Sequence, residues 1–328
     1  MKRVIIILVT LAFVSCKQDA NEQELVKLSG PIFGTGFNIQ YFSETNTNFI
    51  KQIDSLFAVV NQSMSTYIPD SDISKLNRNE NNEVDHHFRN VLLASRKIHK
   101  ETKGVFDPTI GAVVNAWSFG PEGRIINLDS IKIDSLMKSV GLDKVKRVHN
   151  NILKPKNTFL DFNAIAKGYG IDVISEFLES KGVNNYLVDI GGDLRTSGTN
   201  IEKKKAWTVG IDDPNFNGEQ SYSKVVELKD KAMATSGTYR KFKVDENGNR
   251  YAHIINTKIG YPSKTNVLSV SVIASDCMTA DGYATAFQAM GIEKVKDFLQ
   301  THPELKVYFI FEDENNELKT LSLNNFPD

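Results

Sequence analysis

Asp281 and Thr285 stand four residues apart in the run Ala280-Asp281-Gly282-Tyr283-Ala284-Thr285. In a helix that spacing puts a carboxylate and a hydroxyl on one face, one turn apart. Both are hard oxygen donors, the kind a magnesium ion takes together with substrate phosphates. An Asp in a first helical turn also serves the helix dipole, so the pair gains weight only from its company. The run Leu160-Asp161-Phe162-Asn163-Ala164-Ile165-Ala166-Lys167-Gly168-Tyr169-Gly170 is part of that company. It reads as a strand end entering a helix, with Asn163 as the cap. Small residues let backbone approach a ligand, and free N–H groups, the helix dipole and Lys167 favour an anion such as phosphate. A tight turn with a solvated lysine would account for the same residues.

Two more glycine-bearing turns share this character: Val188-Asp189-Ile190-Gly191-Gly192-Asp193 and Ala234-Thr235-Ser236-Gly237-Thr238-Tyr239. Either also suits a hairpin or bulge. Neither has Rossmann or P-loop spacing, which argues against nicotinamide and Walker-type nucleotide sites. Among the six histidines, His253 in Tyr251-Ala252-His253-Ile254-Ile255-Asn256-Thr257 has the context of a general base. His86 and His87 fall in a polar loop, His99 at a helix end, His149 in a polar turn and His302 beside Pro303. The sequence shows no zinc-ligand cluster and no Cys-His pair. Gly104-Val105-Phe106-Asp107-Pro108-Thr109-Ile110-Gly111, followed by Asn115-Ala116-Trp117-Ser118-Phe119-Gly120, has the composition to wall a flat ring system. Its aromatics serve a core equally well.

The elements that must position these residues follow from periodicity. Helical spacing predicts helices over 50–61, 91–102, 131–139, 165–181 and 279–290. Alternating or β-branched runs predict strands over 37–42, 186–190, 207–211, 224–228, 240–244, 267–274 and 307–311, the last closing the sheet. Helices and strands do not alternate strictly, so the expected class is α+β: a mixed sheet with substantial antiparallel pairing, flanked by helices.

Residues 1–15 read as a targeting signal: Lys2 and Arg3, then an apolar run from Ile5 to Val14 too short to span a bilayer. Ser15-Cys16 follows, which resembles a bacterial lipoprotein signal whose cleavage leaves Cys16 as the lipidated N-terminus. Residues 17–28 are polar and read as a flexible tether. Localisation would then be the cell envelope, anchored by lipid on the periplasmic face of the inner membrane. With Cys16 lipidated, Cys277 has no disulfide partner and reads as a small buried hydrophobe. The chain carries 39 Lys+Arg against 40 Asp+Glu. Loss of Lys2 and Arg3 with the signal leaves 37 against 40, a balance that argues against a nucleic-acid partner.

From about Gly30 to Phe311 the chain resembles the ApbE family of flavin transferases, the bacterial FAD:protein FMN transferases. The resemblance rests on Phe33-Gly34-Thr35, Met64-Ser65-Thr66-Tyr67 with Asp70-Ser71, Phe106-Asp107-Pro108-Thr109, Asp161 to Gly168, Gly191-Gly192-Asp193, Thr235-Ser236-Gly237, His253-Ile254-Ile255 and Ala280-Asp281 to Thr285, in that order. It implies that residues 29–328 are one flavin transferase domain. It implies magnesium on Asp281, Thr285 and the Ala164 carbonyl, and FAD contacts from Asp161 and Lys167. Phe106, Asp107 and Pro108 would line the flavin site, Tyr67 would stack on a ring, and Phe33 and Ile255 would make further FAD contacts. His253 would take the proton of the incoming threonine.

The sequence departs from the family's pattern in places. Asn256-Thr257 stand where members commonly have Asp-Pro, Phe162-Asn163-Ala164 where glycines are frequent, and Phe33 where Met is common. The Ala164 ligand is a backbone oxygen, which survives side-chain change.

The activity implied is magnesium-dependent transfer of FMN from FAD to a threonine of a target protein, with release of AMP. Acceptors would be exported flavoproteins such as subunits of membrane redox complexes. Two other readings use the same residues. One is an FAD pyrophosphatase with water in place of threonine, and the other a flavin-binding lipoprotein without catalysis. Intact Asp281, Thr285 and His253 argue against the last, since a binder needs no base.

Overall fold

The β-branched and aromatic runs pair into one large sheet. The computed structural model describes residues 23–123, 125–214, 221–238, 242–244 and 250–328. Cys16 and the signal segment lie outside the described residues, as does Arg240 at the start of the expected strand 240–244. The sheet has eight strands: β1 (Glu24–Ile32), β2 (Thr35–Ser43), β3 (Tyr186–Ile190), β4 (Asp193–Ser197), β5 (Ala232–Gly237), β6 (Val267–Ala274), β7 (Lys306–Glu312) and β8 (Leu318–Leu323). They stand side by side in chain order, and every neighbouring pair is antiparallel. The α+β expectation holds, and the mixed sheet it envisaged is antiparallel across all eight strands. Among the described residues the one parallel pairing is an isolated bridge between Ile110 and Phe159.

All the long excursions leave this sheet at a few points. Between β2 and β3 run α1 (Ile50–Met64), α2 (Asp72–Asn77), α3 (His86–Glu101), α4 (Gly111–Ala116), α5 (Ser130–Met137) and α6 (Ala166–Ser180). Between β6 and β7 run α7 (Cys277–Met290) and α8 (Ile292–Leu299). The segment carrying His253 joins β5 to β6.

The period of two along each strand sorts side chains between two faces. On one face Ile39, Tyr41, Tyr186, Val188 and Ile190 meet Ile171, Ile174 and Leu178 of α6. Farther along that face, Val270, Val272, Val307 and Phe309 meet Ala284 and Phe287 of α7. On the other, Leu187, Leu194, Met233, Ile273 and Ile310 lie under Trp207, Val209, Val226 and Leu228 of the hairpin formed by Trp207–Asp212 and Tyr222–Leu228. Trp207 satisfies its indole N–H on the Ser197 carbonyl at 2.9 Å. Helix ends follow cap chemistry. Asp276 accepts the Thr279 N–H and opens α7, and Gly291 at φ 75° closes it.

Four expectations change. The tether read over 17–28 is a strand from Glu24 onward, because alternate residues Val26 and Leu28 bury against the core. Strand β8, not β7, ends the sheet; its mostly exposed residues give no apolar run to read. Helix α3 begins at His86, not 91, because Asp85 caps it by accepting the Phe88 N–H at 2.8 Å. His86 and His87 are therefore helical, not in a loop. Asn163 does not cap α6, whose N-cap position is Ile165 without a side-chain bond. Instead the Asn163 N–H donates to Asp161 Oδ1 at 2.8 Å.

Phe287 is fully buried, 5.5 Å from the Tyr283 ring and 5.3 Å from the Phe298 ring. Phe287→Ala should cost about 3–5 kcal/mol of unfolding free energy, the usual range for a large buried aromatic. Urea denaturation measures it; a loss below about 1 kcal/mol would mean that α7 is not seated on the sheet as described.

Candidate active site

Helices α6 and α7 meet closely because Gly168 has no side chain. A Cβ there would stand 2.3 Å from the Cys277 carbonyl oxygen and 2.8 Å from Asp281 Cβ. The contact lets each helix serve the other's unsatisfied first-turn N–H groups. Gly168 N–H donates to Asp281 Oδ2 at 2.9 Å. In return Asp172 of α6 accepts the N–H of Cys277 at 2.9 Å and of Met278 at 2.7 Å. Arg195 of β4 pairs with Asp172 at 3.0 Å. Cys277 is buried with its thiol pushed up by burial, as a small core residue should be.

The residues expected to hold a metal lie at this contact. Asp281 is only 8% exposed. One turn on, the Thr285 hydroxyl lies 3.5 Å from the Ala164 carbonyl oxygen. A carboxylate, a hydroxyl and a backbone carbonyl thus converge from α7 and the loop before α6. This all-oxygen set fits magnesium. Burial, reinforced by the nearby Asp193 charge, pushes the Asp281 carboxyl up to about 7; Lys167 and the Gly168 N–H oppose it.

Lys167 does not point freely at a ligand. Its ammonium pairs with Asp193 at 2.9 Å. Burial alone would lower its pKa, but Asp193 and Asp281 together outweigh that and hold it charged. Asp193 also accepts the Thr235 N–H at 3.0 Å, so all three glycine-bearing turns converge. Asp193 and Asp172 were not singled out as site residues from sequence. The pattern Gly191-Gly192-Asp193 after a strand could have flagged the first. An Asp buried within a helix gives no local signal for the second.

A second wall leads away from the metal seat. Asp161 donates its N–H to the Pro108 carbonyl at 2.8 Å. A Cβ on Gly111 would meet Asp161 Cβ at 3.0 Å. Burial raises the Asp161 carboxyl. Tyr67 is 61% exposed, and its phenol is raised first by partial burial and then by the Asp161 charge. It is an open aromatic face beside the carboxylate. Phe106 and Asp107, in contrast, turn inward. Phe106 is in the core. Asp107 accepts the Thr109 N–H and hydroxyl on Oδ1 and the Leu142 N–H on Oδ2, with His99 at 3.5 Å. In this structure Asp107 shapes the loop. Phe33, at φ 50°, sets its ring edge-on to Phe57 and against Gly170.

His253 sets its ring edge-on to Phe119 at 6.2 Å. Its segment is pinned to the 104–120 loop: Thr257 donates its hydroxyl to the Gly104 carbonyl at 2.6 Å, and Trp117 donates its indole N–H to the Gly260 carbonyl at 2.9 Å. Ile255 packs with Val113 and Val140. Contacts therefore run from Asp281 through 161–168 and 104–120 to the His253 segment.

The titration of Asp281 has a consequence for stability. Folded and free of metal it titrates near 7, against about 3.9 unfolded. The folded state holds more protons in between, so stability falls as pH rises from about 4 to about 7 and then levels. Asp281→Asn keeps an oxygen for the Gly168 N–H and removes this titration. In urea titrations of EDTA-treated protein, the variant should gain on wild type across that interval by on the order of a few kcal/mol. Parallel profiles would refute the charge placed at Asp281. Asp172, raised to about 6 by burial, titrates in both proteins.

The comparisons with known proteins bear on the family and the fold. A model of the ApbE family matches residues 33–309. A protein of Haemophilus influenzae named FAD:protein FMN transferase is 34% identical over 330 residues, covering 95% of this chain and 93% of its own. A Vibrio cholerae protein of the same name is 35% identical over 294 residues, covering 87% and 86%. The solved flavin transferase ApbE of Vibrio cholerae superposes with a TM-score of 0.82 at 32% identity, over 92% of this chain and 97% of that one. The Pseudomonas stutzeri flavinyl transferase ApbE in its apo form gives 0.81 at 26% identity, over 93% and 96%. The chain belongs to the ApbE family.

Proposed function

We propose that this chain is an FAD:protein FMN transferase that moves FMN from FAD to a threonine hydroxyl of a target protein. One observation carries the reading. Asp281, Thr285 and the Ala164 carbonyl converge beside Lys167, in a chain similar over nearly its whole length to proteins of that name.

Asp281, Thr285 and Ala164 would hold magnesium, which when bound neutralises charge on phosphate oxygens. Lys167 and the first turn of α6 add positive potential for the pyrophosphate. Tyr67 offers its open ring face for stacking, and Asp161 beside it offers a hydrogen-bond acceptor. His253 takes the proton of the acceptor hydroxyl, which is a weak nucleophile at neutral pH. That oxygen then bonds to the phosphorus of the FMN half, the phosphorus–oxygen bond to the AMP half breaks, and AMP leaves. The acceptor keeps a phosphoester-linked flavin.

The Ser15-Cys16 signal supports a lipid anchor at Cys16, outside the cytoplasm, with exported flavoproteins as acceptors. No helix among the described residues is long and apolar enough to cross a membrane, so in this reading attachment rests on the lipid.

Purified protein, FAD, magnesium and a threonine-bearing acceptor test the chemistry, with intact mass of the acceptor as readout. His253→Ala should slow flavin transfer by ~10²–10⁴-fold; a wild-type rate would remove His253 as the base. Asp281→Ala should lose the magnesium-dependent turnover. Release of AMP without mass gain on any acceptor would instead indicate hydrolysis. Separately, Cys16→Ser should move the protein from the membrane to the soluble fraction of cells; continued membrane retention would exclude the anchor.

A further inference from the structure

Asp85, His86 and His87 bring one carboxylate oxygen and two ring nitrogens within 4.8 Å of one another. We propose that they form a second metal site, specific for a divalent transition ion such as zinc and separate from the oxygen-donor seat at Asp281. The donor chemistry separates the two. Imidazole suits zinc, nickel and copper, whereas magnesium prefers oxygen and keeps its water.

The cluster is already oriented by its surroundings. Both hydrogen bonds to Asp85 fall on Oδ1, from the Ser63 hydroxyl at 2.7 Å and the Phe88 N–H at 2.8 Å. Oδ2 is thereby set as the ligand atom. His87 is buried, and its Nδ1 bonds the Tyr169 hydroxyl at 2.8 Å, with Asn90 Nδ2 donating to the same oxygen at 3.4 Å. An imidazole whose one nitrogen is held by an outer partner presents the other to a metal. Nε2 takes that role here. His86 is exposed, and its ring lies 3.9 Å from that of His87, so the site opens to solvent. Three protein donors leave a coordination position for water. The N-terminus of α3 disfavours a cation, and the Asp85 charge at the same point offsets it.

The sequence alone placed the two histidines in a loop and showed no metal cluster. The cap at Asp85 is what folds three consecutive residues into one donor set. Occupancy would also tie α3 to α6 through Tyr169, two residues beyond Lys167.

The test uses untagged full-length protein in excess magnesium, with cobalt(II) as a spectroscopic probe. Wild type should bind one cobalt with ligand-field absorption that zinc displaces, and its melting temperature should rise. Asp281→Ala should bind cobalt as tightly as wild type. His86→Ala, which changes an exposed side chain, should weaken cobalt binding at least ~10-fold and lose the rise in melting temperature. Tyr169→Phe, which removes the outer partner, should weaken it by ~10-fold. Absence of cobalt binding by wild type overturns the proposal, as does undiminished affinity in His86→Ala.

Discussion

The site depends on an exchange between two helix N-termini. Each of α6 and α7 has backbone N–H groups without a partner in its own first turn. Gly168 gives one to Asp281 of α7, and Cys277 and Met278 give two to Asp172 of α6. The exchange fixes the helices in register and depth, and it works only at the spacing that Gly168 allows. It also explains why α6 has no side-chain cap. The N–H that such a cap would satisfy belongs to Asp281, and the preceding loop stays free to present the Ala164 carbonyl.

The sheet makes this arrangement possible at long sequence distance. Its strands follow chain order, so the segments between them carry the variety. The excursion from β2 to β3 brings the 104–120 and 161–168 segments, that from β5 to β6 brings His253, and that from β6 to β7 brings Asp281 and Thr285. Asp193 at the start of β4 and Thr235 within β5 lie where neighbouring strands join, and they share a hydrogen bond there. A rigid sheet thus brings together segments far apart in sequence, which then lock to one another through contacts such as Gly168–Asp281 and Thr257–Gly104.

What was legible in the sequence followed from local physics. The 3.6-residue period of α1 and α6 and the β-branched run of β6 gave elements whose bounds moved by only a few residues. Asp281 and Thr285 were readable as a pair because helical spacing is local. The edge strands were not. Strand β1 alternates buried and exposed residues within a polar composition, and β8 is nearly all exposed, so both depend on a partner strand for their existence. Nor was the inward turn of Asp107 visible, because Leu142, one of its donors, lies 35 residues along the chain.

The charges explain why Asp281, of the three buried acids around the α6–α7 contact, is the one suited to a cation. Asp172 has Arg195 and two backbone N–H groups; Asp193 has Lys167 and the Thr235 N–H. Asp281 has one N–H and only the more distant influence of Lys167, whose ammonium is already paired. Removing a carboxylate from water is costly unless opposite charge and hydrogen bonds offset it. At Asp281 they do not, and its carboxyl rises to about 7. A divalent cation beside Thr285 and Ala164 would supply the missing charge, so the same desolvation that weakens the lone carboxylate sharpens its demand for metal. Lys167, committed to Asp193, contributes by holding that neighbour's charge in check; were it withdrawn, the repulsion that Asp193 exerts on Asp281 would be unopposed by an ammonium.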